Sequence, residues 1–197
     1  MKRIFNNNYF SNYKVSSLEY ALKPIEKSFR YDAYGIVKEK ITVFISHKHD
    51  DLDNIKGLIG FLEKNYNIKA YIDSWDPTMP SKTCKDTAKQ LKNRIEMCNK
   101  FIFMATDGAI DSKWCNWELG YGDSKQFPDN IAIFHISDKD YYEYKGHEYF
   151  DLYPYIAYYD GTEKYSTGIN VKEGYYRVVQ ENENFYIQPL NEWLNKK

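Results

Sequence analysis

The stretch Ile41-Thr42-Val43-Phe44-Ile45-Ser46 is a short run of β-branched and aromatic residues. A continuous apolar run of this length is typical of a strand buried on both faces of a parallel sheet. The segment His47 to Asp53 follows directly and contains three aspartates, which favour a helix start because carboxylates accept from free backbone N–H groups. A buried strand that leads into a helix is typical of an α/β fold.

The same alternation continues toward the C-terminus. Further strands are predicted at residues 68–73, 100–106, 130–136 and 154–159. Between them, apolar residues at helical spacing predict helices, including one over residues 83–98 and one that begins near Asp111. Because such strands are joined by right-handed crossovers, we expect a central parallel sheet of about five strands with helices on both faces.

Three segments are expected along the chain of 197 residues. Residues 40–160 form the core domain, and this length favours one core over two. Residues 1–39 form an N-terminal extension, in which Ser16-Ser17 predicts the start of a helix that Pro24 limits. Residues 161–197 are expected to add strands near 175–180 and 185–188 and a short helix at 190–194, packed on the core.

Composition excludes several classes of partner. Lysine and arginine number 27 against 28 acidic residues, so there is no electrostatic footprint for nucleic acid or an anionic membrane. No signal peptide and no membrane span is evident. The three cysteines, Cys84, Cys98 and Cys115, are odd in number and too widely spaced for a metal-type pair. We therefore expect a cytoplasmic protein that binds neither nucleic acid nor membranes.

A carboxylate lies within an aromatic stripe in the segment Asp111 to Tyr121. In a helix, Trp114, Trp117, Glu118 and Tyr121 share one face. Low-dielectric surroundings would disfavour the ionised form of Glu118 and make it a candidate for chemistry. An aromatic stripe is more often core packing, however, and a glutamate beside it more often reaches solvent.

The predicted topology favours the functional interpretation. Ligands of open parallel sheets bind outside the carboxyl ends of the strands. The groups expected at that edge are Ser46-His47, Asp73-Ser74-Trp75, Thr106-Asp107 and the start of the Trp114 helix. Glu118 should therefore lie near a cleft formed by at least three strand ends.

Several familiar chemistries lack their signatures. The G-x-G-x-x-G turn, the P-loop, the G-x-S-x-G elbow and H-E-x-x-H are absent. His47 and His49 could suggest a metal, but a capped helix explains the neighbouring aspartates, and we expect no metal. Asp107 lies beyond its strand end, with the expected acidic pair displaced past His49, and so makes a poor phospho-acceptor.

Three segments together carry a family resemblance. Val43-Phe44-Ile45-Ser46-His47, then Ile72-Asp73-Ser74-Trp75 with its long following loop, then Ser112-Lys113-Trp114-Cys115-Asn116-Trp117-Glu118 resemble a Toll/interleukin-1 receptor (TIR) domain over roughly residues 40–160. The last segment is similar to the W-x-x-x-E pattern of enzymatically active bacterial TIR domains, which include the NAD-consuming sensors of Thoeris-type antiphage systems.

The resemblance implies a flavodoxin-like fold and an NAD⁺ glycohydrolase or cyclase with Glu118 as the catalytic residue. NAD⁺ would be the substrate, and no cofactor is expected. The 74–82 loop corresponds to the family's BB loop, which takes part in self-association. A separate effector protein would read the nucleotide product.

The chemistry explains why one carboxylate could suffice. Oxidised nicotinamide is already a cationic leaving group, so no general acid is required, and Glu118 can bind ribose hydroxyls and either stabilise or trap the oxocarbenium ion. Trp114 could stack on a planar base. Position alone suggests further substrate contacts, which are Ser46, His47, Asp73 and Trp75. Lys113 could contact a phosphate or be a solvated surface lysine.

The main alternative is a non-catalytic TIR module that works by self-assembly, because a fold does not determine function. The sequence also leaves open whether water or another part of the same molecule attacks the ribose. The W-x-x-x-E arrangement at a strand-end cleft favours the enzyme.

Overall fold

The computed structural model describes residues 1–16, 29–31, 37–80, 84–126, 129–139 and 148–196. Its strands are β1 (Ile4–Phe5), β2 (Phe29–Tyr31), β3 (Val37–Glu39), β4 (Thr42–Ser46), β5 (Lys69–Tyr71), β6 (Lys100–Ala105), β7 (Ile131–Ile136), β8 (Tyr155–Tyr159), β9 (Gly174–Glu181) and β10 (Asn184–Pro189). Its α-helices are α1 (Leu52–Tyr66), α2 (Lys85–Met97), α3 (Asp107–Ile110), α4 (Lys113–Gln126) and α5 (Leu190–Asn195). The helix predicted after Ser16-Ser17 lies outside the described residues.

The strands other than β2 and β3 form one mixed sheet in the order β10-β9-β8-β7-β6-β4-β5, with β1 paired to β7. Strands β4 to β8 are the five strands predicted from the sequence, and they pair in parallel. The predicted α/β architecture with a central parallel sheet is therefore confirmed. β4 lies inside the sheet, between β5 and β6, which explains its uninterrupted apolar sequence.

Antiparallel strands extend this parallel core. β9 pairs with β8, and β10 pairs with β9 as a hairpin. β1 pairs with the end of β7, while Lys2 exchanges backbone hydrogen bonds of 2.7 and 2.8 Å with Tyr158 of β8. The first residues of the chain thus fill the fork where β7 and β8 separate.

Helices cover both faces of the sheet. On one face, α1 and α5 pack with the N-terminal residues over a core that includes Ile55, Leu58, Phe134 and Trp193. On the other face, α2 and α4 pack over a core that includes Leu91, Ile95, Phe101 and Leu119. Among the residues described, no helix has the length and apolar character needed to cross a membrane.

Two glycines allow the N-terminal segment to lie against α1. A Cβ added at Gly57 would come within 2.7 Å of the carbonyl oxygen of Phe10, and one at Gly60 within 1.7 Å of that of Tyr13. Only glycine permits so close an approach of two backbones.

Helix α1 ends at Tyr66, and the next residue, Asn67, caps it. The left-handed conformation of Asn67 (φ 55°) lets its N–H donate to the carbonyl of Glu63.

The carboxyl ends of the parallel strands converge at one edge of the sheet. β4 ends at Ser46, and β5 is followed by a 3₁₀ turn over Asp73–Trp75. β6 leads into α3 through Thr106, whose hydroxyl accepts from the N–H of Ala109 as an N-cap. After α3 the chain enters α4, so this helix begins near the ends of β4 and β6.

Candidate active site

Glu118 lies on the inner side of α4 and is only 2% exposed. Its Oε2 accepts a hydrogen bond of 2.6 Å from the hydroxyl of Ser46, the last residue of β4, which is itself buried. The predicted proximity of the β4 end and the W-x-x-x-E helix is therefore observed. This is a direct contact between a strand end and the candidate acid.

The surroundings of Glu118 strongly disfavour its ionised form. Burial raises the pKa of Glu118 well above its ordinary value, and the negative charge of Asp73 raises it further. The hydrogen bond from Ser46 acts in the opposite direction but does not compensate. A carboxylate next to another acid in a desolvated site is a typical mark of a functional group.

His47 forms the next part of this site and is also buried. Its Nδ1 lies 3.3 Å from the carbonyl of Ile45, and its Nε2 lies 2.8 Å from the hydroxyl of Ser74. We assign Nδ1–H as the donor to Ile45 and Nε2 as the acceptor from Ser74, which is the neutral tautomer. Burial lowers the pKa of His47, although Asp73 opposes this effect, and the neutral assignment agrees with that direction.

The turn after β5 brings His49 into the same group. The hydroxyl of Ser74 lies 3.4 Å from Nδ1 of His49 as well as close to His47. The two imidazole rings are nearly parallel, with centroids 6.2 Å apart. They meet at the hydroxyl of Ser74 although β4 has already ended, so strand alternation is not what aligns them.

Cys115 is a part of the site that the sequence reasoning missed. It is buried one turn before Glu118 on α4, and its thiol donates to the carbonyl of His47 at 3.3 Å. Burial raises the pKa of Cys115 to about 11, with a hydrogen bond from Ser112 opposing it and the charges of Glu118 and Asp73 adding to it. The thiol is thus a neutral donor. Its i, i+3 spacing from Glu118 was the available signal.

Asp73 faces the other groups from the turn after β5. Its carboxylate lies 3.8 Å from Nδ1 of His47, and its side chain is 19% exposed. Its charge acts on His47, Cys115 and Glu118 together. Asp73 therefore belongs to the group of side chains around the buried acid, which we call the Glu118 cluster: Ser46, His47, Asp73, Cys115 and Glu118.

The aromatic stripe of α4 is a stacked ladder on the outer part of the helix. The rings of Trp114 and Trp117 are stacked at 5.0 Å, and those of Trp117 and Tyr121 at 5.9 Å. All three are partly exposed, and Lys92 of α2 lies 5.0 Å from the centroid of Tyr121. The shared face predicted for these aromatics is confirmed, while Glu118 points to the buried side.

Two other predicted site residues make no recorded contact with the Glu118 cluster within the described ranges. Trp75 is partly buried and packs against the core of the α1 face, opposite the face that α4 covers. Lys113 is exposed at the first position of α4. The structure thus brings together Ser46, His47, Asp73 and Glu118, with Trp114 one helical turn before the acid.

An open cavity of about 370 Å³ lies at the same edge of the sheet. The residues that line it are Asn7, Asp51, Thr106, Asp107, Gly108, Ile136, Ser137, Asp138 and Lys139. This lining, as far as the structure describes it, does not include Glu118. The described ranges also contain no group of three or more His, Cys, Asp or Glu side chains placed to hold a metal ion.

Family comparison adds to this geometry. The family model described as "TIR domain" matches residues 43–164, which include all of β4 except its first residue, the turn after β5 and the whole of α4. The chain belongs to the TIR domain family. The predicted resemblance is confirmed, and the flavodoxin-like fold of the TIR domain agrees with the observed sheet.

Two relatives of this TIR protein have curated names. It is 33% identical over 163 residues to the "Probable 3' cyclic ADP-D-ribose synthase ThsB'" of Bacillus cereus (strain MSX-D12), over 78% of this chain and 80% of that protein. It is 29% identical over 132 residues to the "Putative cyclic ADP-D-ribose synthase TIR2" of Cytobacillus dafuensis. The second alignment covers 64% of this chain but only 34% of that relative.

Proposed function

We propose that this TIR protein cleaves the nicotinamide–ribose bond of NAD⁺ and releases a cyclic ADP-ribose-type product as a signal in bacterial antiphage defence. The observation that carries the proposal is the buried Glu118, hydrogen-bonded to Ser46 at the end of the central strand. Relatives named as cyclic ADP-D-ribose synthases support the same reaction class.

In this reaction the bond between C1′ of the ribose and the nicotinamide nitrogen breaks. Its electron pair neutralises the pyridinium ring, so the leaving group needs no proton. The positive charge passes to the ribose, where an ionised Glu118 stabilises it in a site with few competing water molecules. Another nucleophilic group of the same molecule then attacks C1′ and a proton is released, which gives a cyclic product, whereas attack by water gives ADP-ribose.

The raised pKa of Glu118 suits this role. A carboxylate that is costly to ionise in the free enzyme gains most from a positive charge beside it, so it interacts more strongly with the transition state than with a neutral group. Ser46 orients the carboxylate, and neutral His47 accepts from the hydroxyl of Ser74 and holds it in place. Trp114, at the end of the aromatic ladder, would stack on a planar base of the substrate.

Substrate contact with Glu118 requires movement of the groups above it, because the acid is 2% exposed. The turn that carries Asp73 and Ser74 is the element best placed to move, and it begins the 74–82 loop. We further propose that this loop takes part in self-association, and that a separate effector binds the nucleotide product.

The proposal is tested by incubating the purified chain at high concentration with NAD⁺ and separating the products by chromatography. Wild-type protein should release nicotinamide together with a cyclic product. Glu118→Gln should lose turnover by about 10³-fold or more while remaining folded, because it removes the charge that stabilises the transition state. Asp107→Asn, in the open cavity, is the matched control and should keep its activity. Retained turnover by a folded Glu118→Gln variant contradicts the assignment, and inactive wild-type protein at assembly concentrations favours the interaction module.

A further inference from the structure

The side chain of Asp76 connects three elements next to the Asp73–Trp75 turn. It is only 3% exposed. Its Oδ2 accepts from the hydroxyl of Tyr71 in β5 at 2.8 Å and from Nε of Arg94 in α2 at 3.0 Å. Its Oδ1 accepts from the backbone N–H and the hydroxyl of Thr78, at 2.9 and 2.6 Å. With four donors, the carboxylate is held by a strand, a helix and a loop at once.

This carboxylate remains charged despite its burial. Burial raises the pKa of Asp76, but hydrogen bonds from Thr78 and Tyr71 and the charge of Arg94 outweigh it and hold the pKa below its ordinary value. Arg94 also donates from Nη2 to the hydroxyl of Thr78 at 3.2 Å. Removing one partner of such a pair leaves the other charge poorly compensated, so the pair resists opening.

The turn that Asp76 closes carries the groups that face the active site. The backbone N–H of Asp76 donates to the carbonyl of Asp73 at 3.0 Å and completes the turn. Ser74 contacts His47, and the charge of Asp73 acts on Cys115 and Glu118. The position of the turn against the Glu118 cluster therefore depends on how firmly its C-terminal end, at Asp76, is fixed.

We propose that Asp76, paired with Arg94, is a positioning residue that holds the Asp73–Trp75 turn against the Glu118 cluster and presents Asp73 and Ser74 to the substrate. Asp76 acts through the turn and does not touch the substrate. NAD⁺ enters when the turn moves away and is held when Asp73 and Ser74 return against it. A loosened turn spends a smaller fraction of the time in this returned arrangement, and the apparent affinity for NAD⁺ falls by that fraction. The kinetic part of this inference rests on the proposed function, whereas its structural part does not.

The structural part is tested by the reactivity of two buried thiols in Asp76→Asn. Alkylation of Cys115 by iodoacetamide, followed by mass spectrometry, reports opening of the turn, while Cys98, which is 5% exposed beside α2, reports general unfolding. We expect Cys115 to react about tenfold faster than in wild-type protein, as for the loss of one charge-assisted hydrogen bond, with Cys98 unchanged. Asp151→Asn is the matched control, because Asp151 also accepts from an arginine, Arg3, at 3.0 Å but is exposed and distant.

The kinetic part compares KM and kcat for NAD⁺ in the same variants. Asp76→Asn should raise KM several-fold and leave kcat within about threefold, because the chemical groups themselves are intact. Asp151→Asn should change neither constant. If Asp76→Asn does not fold, Arg94→Lys carries the same test, since lysine keeps the charge but lacks the planar fork of arginine.

Equal Cys115 reactivity in wild-type protein and Asp76→Asn overturns the inference, as does an equal increase in Asp151→Asn. Increased Cys115 reactivity with unchanged KM overturns the role in substrate binding. If wild-type protein cleaves no NAD⁺, the proposed function fails, and the comparison of Cys115 with Cys98 still decides whether Asp76 holds the turn.

Discussion

Two regions at the carboxyl edge of the sheet contain carboxylates in opposite situations. The open cavity holds Asp51, Asp107 and Asp138, and each has a partner. Asp51 accepts from the hydroxyl of Thr106, Asp107 pairs with Lys139 at 2.7 Å, and Asp138 accepts two hydrogen bonds from Asn7. These carboxylates are compensated, and they stabilise the ends of β6 and β7.

The Glu118 cluster is the reverse. Within the part of the chain that the structure describes, Glu118 accepts one hydrogen bond, from Ser46, and the negative charge of Asp73 lies nearby. The open cavity is therefore in one region, whereas the carboxyl group whose ionised form is disfavoured is in the other. We expect the reaction at Glu118, because the positive charge that develops in the reaction can stabilise its ionised form.

Trp114 is the aromatic residue one helical turn before Glu118, and of the substitutions around Glu118 its removal should have the largest effect on catalysis. Trp114→Ala should lower kcat/KM for NAD⁺ by about 10- to 100-fold, mainly through KM, if the indole stacks on a base of the substrate. Thermal unfolding must be measured in parallel, because the truncation also leaves a cavity. Tyr186→Ala, at an aromatic that is 55% exposed on β10, is the matched control and should be silent. Unchanged KM in folded Trp114→Ala would exclude the stacking role.

The raised pKa of Glu118 can be lowered by removing the negative charge of Asp73. Asp73→Asn removes the negative charge that raises the pKa of Glu118. The acid limb of the kcat/KM profile should therefore move to lower pH, because Glu118 must be ionised to act. Asp107→Asn should leave the limb in place. A limb that does not move in Asp73→Asn would show that Glu118 is insulated from this charge.

Substitution by an uncharged residue should lower the stability of the protein in the first region and raise it in the second. Thr106→Val removes an N-cap and the hydrogen bond to Asp51, and should cost about 1–2 kcal/mol. Glu118→Gln should raise the Tm at pH 8. Because the pKa of Glu118 is higher in the folded than in the unfolded protein, ionisation of Glu118 lowers the free energy of unfolding. This loss of stability is absent at low pH, grows as the pH rises above the unfolded-state pKa, and levels off above the folded-state pKa. The gain should therefore be smaller at pH 5, and a lower Tm at pH 8 would contradict it.

The sequence was sufficient to predict the fold and to place Glu118 near the end of β4, but not to predict the contacts that bury Glu118. Strand and helix periodicity predicted β4 to β8, and the W-x-x-x-E segment predicted Glu118 and Trp114 as a pair. Insertion of β1 between β7 and β8 was not predictable, because two residues carry no periodic signal.

The contacts around Glu118 were beyond reach for a related reason. Two hydrogen bonds join residues that are distant in sequence, one from Cys115 to His47 and one from Arg94 to Asp76. Both depend on the path of the turn after β5. The loop was predicted from its prolines, but its hydrogen bonds are tertiary. Trp75 looked like a site residue by position, yet its side chain packs toward the α1 face.

The most direct test of this account is the pH dependence of kcat/KM for nicotinamide release by wild-type protein, with circular dichroism at each pH to confirm the fold. Since kcat/KM reports ionisation in the free enzyme, the rate should fall with decreasing pH around a midpoint well above about 4.3, the ordinary value for glutamate. If the rate keeps its full value down to about pH 4.3 in protein that remains folded, the reaction does not depend on an acid with a raised pKa, and the role given to Glu118 is wrong.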